Sequence, residues 1–141
     1  MWANQREFLN GVVRKLKPKK ILEIGVEKGG STTIILNAIK DIDNSKLYSI
    51  DLNNNQSVVG ICVKNYFTEF TKNWELFMGD YASAFMEKIG NNIDMAFIDS
   101  AHFEPGEILD FLIVLPFLKK NAVVVFHDIA NQMTMSKDRN E

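Results

Sequence analysis

The chain has 141 residues, 46% hydrophobic and 24% charged, with a net charge of −2. That length suits one domain, 1–141, able to bury roughly two-thirds of its unfolded surface, and the weak charge gives no reason to expect nucleic acid or an anionic membrane as partner. The single Cys62 excludes an intrachain disulfide, no apolar run reaches the ~18 residues of a membrane span, and Asn4, Gln5, Arg6 and Glu7 rule out a signal peptide, so the expected setting is the cytoplasm.

In chain order, Phe8, Leu9, Val12, Val13 and Leu16 form a helical stripe over about Asn4–Lys15. Trp2, just ahead of it, either packs or covers a ligand. Lys15, Lys17, Lys19 and Lys20 surround Pro18 and read as a solvated helix end. A strand is predicted over Ile21–Val26, then a glycine-rich turn and a helix from Ser31 to about Ile39. Further strands are predicted at Lys46–Ile50, Trp74–Met78, Ile93–Ile98 and Ala122–Phe126. Helices are predicted at Val58 to about Phe67, Ser83 to Ile89, and Glu107–Leu118 despite Pro116. Phe103, Phe111, Phe117, Phe126, Met78 and Met86 read as core, and Cys62 as a small buried apolar residue.

Short, almost continuously apolar strands alternating with helices imply a parallel sheet covered on both faces. With right-handed crossovers the expected architecture is α/β, a Rossmann-like doubly wound sheet of order 3-2-1-4-5. The last strand is then an apolar edge, which soluble proteins normally cover. Either the chain is part of a longer protein or a second copy covers that edge as a homodimer.

The first strand and its turn, Ile21-Leu22-Glu23-Ile24-Gly25-Val26-Glu27-Lys28-Gly29-Gly30-Ser31-Thr32, are built to bring backbone close to a ligand. The second strand ends in Asp51, where a carboxylate can take ribose hydroxyls. Glu27 stands where a dinucleotide-binding loop has its middle glycine, a poor neighbour for a pyrophosphate but a tolerable one for ammonium and sulfonium groups. No Gly-Lys-Ser/Thr follows, which excludes a P-loop. Glu23, inside the first strand, needs partners if buried. Backbone amides of the glycine loop or a ligand ammonium are the expected ones. Asp80, in Gly79-Asp80-Tyr81, is placed to accept from an adenine amino group.

The fourth and fifth strands end in Ile98-Asp99-Ser100-Ala101-His102 and Phe126-His127-Asp128. In an open parallel sheet these ends meet at the topological switch point. Two carboxylates with imidazole there either hold a divalent ion such as Mg²⁺ or deprotonate a substrate hydroxyl, with His102 and Asp99 as the catalytic groups.

Taken together, Leu-Glu-Ile-Gly-Val-x-x-Gly-Gly-Ser-Thr, Tyr48-Ser49-Ile50-Asp51 and the run from Asp94 through Asp128 resemble the class I S-adenosylmethionine-dependent methyltransferases. Within them the likeness is to methyltransferase family 24, which includes relatives of O-methyltransferases and cephalosporin-hydroxylase-like proteins. The resemblance implies that Glu23, Gly25, Gly29 and Ser31 surround the methionine part of S-adenosylmethionine. It also implies that Asp51 binds the ribose, and Asp80 with Tyr81 the adenine. Asp99, His127 and Asp128 fall where metal-dependent members keep an ion, although His127 stands in a place that commonly holds an acid. Members continue past the fifth strand with a helix and strands 6 and 7, so by this comparison the chain is C-terminally truncated. The implied function is methyl transfer to an oxygen of a small-molecule or sugar-like acceptor. Its rivals are a truncated non-catalytic cofactor-binding domain and a nicotinamide-dependent oxidoreductase or epimerase.

Overall fold

The computed structural model describes residues 1–100 and 105–128. Helix α1 (Ala3–Leu16) leads into β1 (Lys20–Ile24), α2 (Gly30–Ile39), β2 (Lys46–Asp51), α3 (Ile61–Tyr66) and β3 (Trp74–Met78). Then come α4 (Ala82–Ile89), β4 (Ile93–Ile98), α5 (Gly106–Val114) and β5 (Leu118–Phe126). The strands form one parallel sheet of order β3-β2-β1-β4-β5, as the alternation of elements implies.

Alternation along each strand divides the core in two. On one face Leu9 and Val13 of α1, Ile35, Leu36 and Ile39 of α2, and Val63 of α3 cover Ile21, Leu47, Met95 and Phe97. On the other, Met86 and Ile89 of α4 and Val114 of α5 cover Leu22, Ile50 and Ala96. The chain order reverses between β1 and β4, which opens a crevice beyond their carboxyl ends. None of the helices among the described residues is long and apolar enough to cross a membrane.

Four boundaries differ from expectation. Strand β1 ends at Ile24 rather than Val26, because the chain turns at Gly25 with φ 89. Helix α5 stops at Val114 rather than Leu118, because Pro116 cannot continue an α-helix, and Leu115–Phe117 tightens into a 3₁₀ turn. Strand β5 then starts at Leu118, not Ala122, and its pairing with β4 shifts register between Ile93 and Met95, with Asn121 in a left-handed conformation. Helix α3 begins only after Gly60, and a 3₁₀ helix over Thr68–Asn73 follows it. Trp2 does not pack; it is 78% exposed. Cys62 and Met78 are half-buried rather than buried, whereas Met86 is core. Phe103 lies outside the described residues.

The basic run has a structural use at its end. Lys20 Nζ donates to the carbonyls of Ile89, Gly90 (3.0 Å) and Asn91 (2.9 Å), capping the negative end of α4. Helix α5 places Glu107 inward and leaves Ile108, Leu109 and Leu112 exposed, as is Leu115 just beyond its end. The helix lies beside β5, the edge strand among the described residues, where Phe111 meets Phe126 edge-on.

Candidate functional site

At the crevice β1 ends at Ile24, and the chain bends through Gly25 and Gly29 into α2. Gly25 has φ +89, and a Cβ there would stand 1.9 Å from the Asp99 carbonyl oxygen. Only glycine lets β1 and β4 close here, where the Asp99 amide donates to Ile24 (2.8 Å). Glu27, in the place of a middle glycine, adopts a left-handed φ of 50. The bend is held from the front by Asp51: its Oδ2 accepts the amides of Val26 and Glu27, both at 2.9 Å. Its Oδ1 accepts from Asn53 N (2.8 Å).

Support also comes from behind. The amides of Gly60 and Cys62 donate to Glu27 O (2.8 Å) and Lys28 O (2.9 Å). Gly60 is itself pressed against the Trp74 ring, at which a Cβ would stand 2.5 Å from Cη2.

A cavity of about 840 Å³ opens in front of the bend, lined by Gly25, Ser31, Asp51, Asp80, Tyr81 and Asp99. Five residues expected to hold a cofactor thus share one wall system, together with Asp99. Two others do not line it. Gly29 faces Gly60 and Val63 behind the bend. Glu23 is fully buried and binds neither loop amides nor the cavity; it accepts from the hydroxyls of Ser31 (2.6 Å), Thr32 (2.9 Å) and Ser49 (2.6 Å). The three hydroxyls came within reach because β2 aligns Ser49 with Glu23 in register and α2 starts directly above. Burial raises the Glu23 pKa to about 7 against the lowering effect of these bonds, with the like charge of Asp99 adding a smaller push.

Sequence reasoning missed the opposite, apolar wall, formed by Leu109 and Ile113 of α5 with Leu52 and Val58. Its signal is the density of large apolar residues in α5 (Ile108, Leu109, Phe111, Leu112, Ile113 and Val114), but that pattern equally describes a core helix. Asp110 beside it accepts from Ser100 Oγ at 2.5 Å, tying α5 to the end of β4.

At the cavity's β4–β5 side, His127 Nδ1 lies 3.1 Å from Asp99 Oδ1 and 3.3 Å from Asp128 Oδ2. The three donor atoms are close enough to share one cation. Spacings near 3 Å match the edge of an octahedron with bonds of about 2.1 Å, as Mg²⁺ requires. A protonated imidazole bridging the two carboxylates fits the same spacings. His127 and Asp128 also line a second cleft of about 300 Å³ against Met1, Asn4 and Phe8 at the start of α1. His102 lies outside the described residues.

The fold has many relatives among solved structures. A putative O-methyltransferase from Klebsiella pneumoniae matches with a TM-score of 0.78 at 22% identity, over 93% of this chain and 58% of that one. The O-methyltransferase TomG from Streptomyces achromogenes, in complex with SAM, matches at 0.74 and 22%, over 89% and 56%. The Bacillus cereus O-methyltransferase, in complex with SAH, matches at 0.73 and 20%, again over 89% and 56%. The chain thus spans little more than half the length of these structures. No curated protein matches it in sequence. Residues 22–129 match the family model of a methyltransferase domain, family 24, and with most of its length covered the chain belongs to that family.

Proposed function

We propose that this chain binds S-adenosylmethionine in the large cavity and serves methyl transfer to an oxygen of a small-molecule or sugar-like acceptor. The observation that carries the reading is that a bare-backbone bend (Gly25), a hydroxyl at a helix start (Ser31) and three acidic groups (Asp51, Asp80, Asp99) surround one cavity. In this reading Gly25 and Ser31 adjoin the methionine part, Asp51 takes the ribose hydroxyls, and Asp80 with Tyr81 borders the adenine against the apolar wall of α5. Relatives of the same fold hold SAM or SAH. A sulfonium donor brings its own leaving group, so the protein has chiefly to align the acceptor oxygen with the methyl group.

The cleft beside Phe8 and His127 is the natural entry for an acceptor. Its hydroxyl proton passes to the Asp99–His127 pair as the methyl–oxygen bond forms and S-adenosylhomocysteine leaves. A divalent cation held by Asp99, His127 and Asp128 would lower the proton affinity of that hydroxyl. His102 is proposed as a further base. Glu27 lines the cavity, which argues against a pyrophosphate cofactor and so against an oxidoreductase.

Calorimetric titration with SAM and SAH, beside a thermal-shift comparison with NADH, tests the reading. Micromolar SAH binding without NADH stabilisation is expected. Stabilisation by NADH alone would overturn it. On assembly, we propose that a second copy covers the β5 edge and the outer face of α5; light scattering showing only monomer at high concentration refutes that. Cytoplasmic residence is part of the same proposal.

A further inference from the structure

The three hydroxyls around Glu23 are not equivalent. Oε2 accepts from both Thr32 and Ser49, whereas Oε1 accepts from Ser31 alone. Ser49 Oγ accepts the Trp74 indole N–H (2.9 Å) and gives its one O–H to Glu23. A proton arriving at this carboxylate therefore has its least occupied lone pairs on Oε1, whose one hydrogen-bond partner among the described residues is Ser31 Oγ. Among the three hydroxyl residues, Ser31 is also the one that lines the cavity. Protonating Oε1 makes it a donor to Ser31, and the hydrogen of Ser31 must then turn elsewhere, with the cavity as the open direction.

We propose that Glu23 is a positioning residue that acts through Ser31: when an anionic group of the ligand reaches the start of α2, the Ser31 hydroxyl turns to donate to it and Glu23 takes up one proton. The inference rests on the methyltransferase reading, in which the anion is the carboxylate of the ligand's amino-acid part. The proton balance is simple. Ser31 passes its hydrogen to Oε1 and receives another from cavity water, so one proton leaves solvent per ligand bound and no other group changes. The buried carboxyl titrates near neutrality, so the exchange is available at physiological pH.

The surroundings of Glu23 are otherwise nearly free of charge. Ser31 and Thr32 face it from α2, Ser49 from β2 with Trp74 of β3 behind, and Phe97 is its register partner on β4. Asp99, at the end of β4, is the charged group that acts on it. His127 and Asp128 stand beyond Asp99. A pH effect could thus arise at either carboxyl or at His127, and the test has to separate them.

The test is SAH titration calorimetry from pH 6 to 8.5 in two buffers of different ionisation enthalpy. The expected result is uptake approaching one proton per SAH above pH 7, with the dissociation constant rising up to about tenfold per pH unit there. Glu23→Gln, whose amide donates to Ser31 permanently, should bind SAH with no proton uptake and a flat profile. Ser31→Ala should also lose the uptake, and Ser31→Thr should restore it, which keeps the test decisive if Glu23→Gln folds poorly. Binding without proton uptake overturns this inference and leaves the methyltransferase reading standing. Uptake that persists in Glu23→Gln or Ser31→Ala assigns the proton to His127 or Asp99 and overturns it equally. No SAH binding at any pH sinks both.

Discussion

Asp51 and Glu27 are joined by a hydrogen bond of 2.9 Å from the Glu27 amide to the Asp51 carboxylate, and the same oxygen takes the Val26 amide. The residue proposed to bind ribose therefore also shapes the bend that approaches the ligand. Two charge-assisted bonds at a half-buried position are together worth about 2 kcal/mol. Asp51→Ala should lower unfolding stability by that amount and abolish SAH binding. Asp51→Asn keeps an acceptor oxygen for the bend, so stability should fall by less than about 1 kcal/mol, while SAH affinity drops at least tenfold. Denaturant titration and calorimetry on the two variants separate loop support from ligand contact.

Two glycines of the bend should answer differently to the same change. At Gly25 a methyl group meets the Asp99 carbonyl oxygen at 1.9 Å and the backbone is left-handed. Gly25→Ala should cost more than about 3 kcal/mol or prevent folding. At Gly30 nothing stands within 4 Å of an added Cβ, and alanine suits a helix start better than glycine. Gly30→Ala should leave thermal stability unchanged or raise it by up to about 1 kcal/mol.

The sheet order, the five strands and the convergence of Gly25, Asp51, Asp80 and Asp99 were legible because they follow from alternation, crossover handedness and the ends of strands. Gly29 and Glu23 were misplaced for a common reason. A linear motif shows which residues are near a bend, but not which side of the backbone each presents. Gly29 turns toward Gly60 because α3 needs a close approach there. Glu23 turns into the core because β1 pairs it with Ser49, and a strand two faces deep gives it no route to the crevice. The extra length of β5 was hidden because Lys119-Lys120-Asn121 reads as a turn, whereas it forms the irregular, exposed start of an edge strand.

Glu23 also makes stability depend on pH. Its folded pKa of about 7 lies above the ordinary value of 4.5, so the folded state holds a proton that the unfolded chain releases first. The stabilisation is fully present below pH 4.5, declines between 4.5 and 7, and is lost above. A shift of this size corresponds to on the order of 3 kcal/mol. At Asp94 burial pushes the pKa up but is outweighed by Lys119 and the amides of Lys20 and Lys19, so the net shift is downward; it acts in the opposite sense but at lower pH, below its usual value of 3.8. The 4.5–7 window therefore separates Glu23 from Asp94, and the Glu23→Gln comparison separates it from the histidines. Urea unfolding should show stability falling across it in the native sequence and a markedly smaller slope in Glu23→Gln; equal slopes would place the titration elsewhere.

The Asp99–His127–Asp128 cluster distinguishes two chemistries through the Nδ1 atom of His127. If both ring nitrogens carry protons, the imidazolium bridges Asp99 at 3.1 Å and Asp128 at 3.3 Å as an ion pair; if Nδ1 presents a lone pair, two carboxylates repel across the same gap unless a cation lies between them. The donor set favours a hard ion that retains several waters. Water-proton relaxation should therefore detect one Mn²⁺ per chain, displaced by millimolar Mg²⁺, and Asp128→Asn should weaken it by tenfold or more. Asp99→Asn should do the same and also unlock the imidazole. If neither substitution alters Mn²⁺ binding, the cluster does not hold the metal and serves as an acid–base group alone.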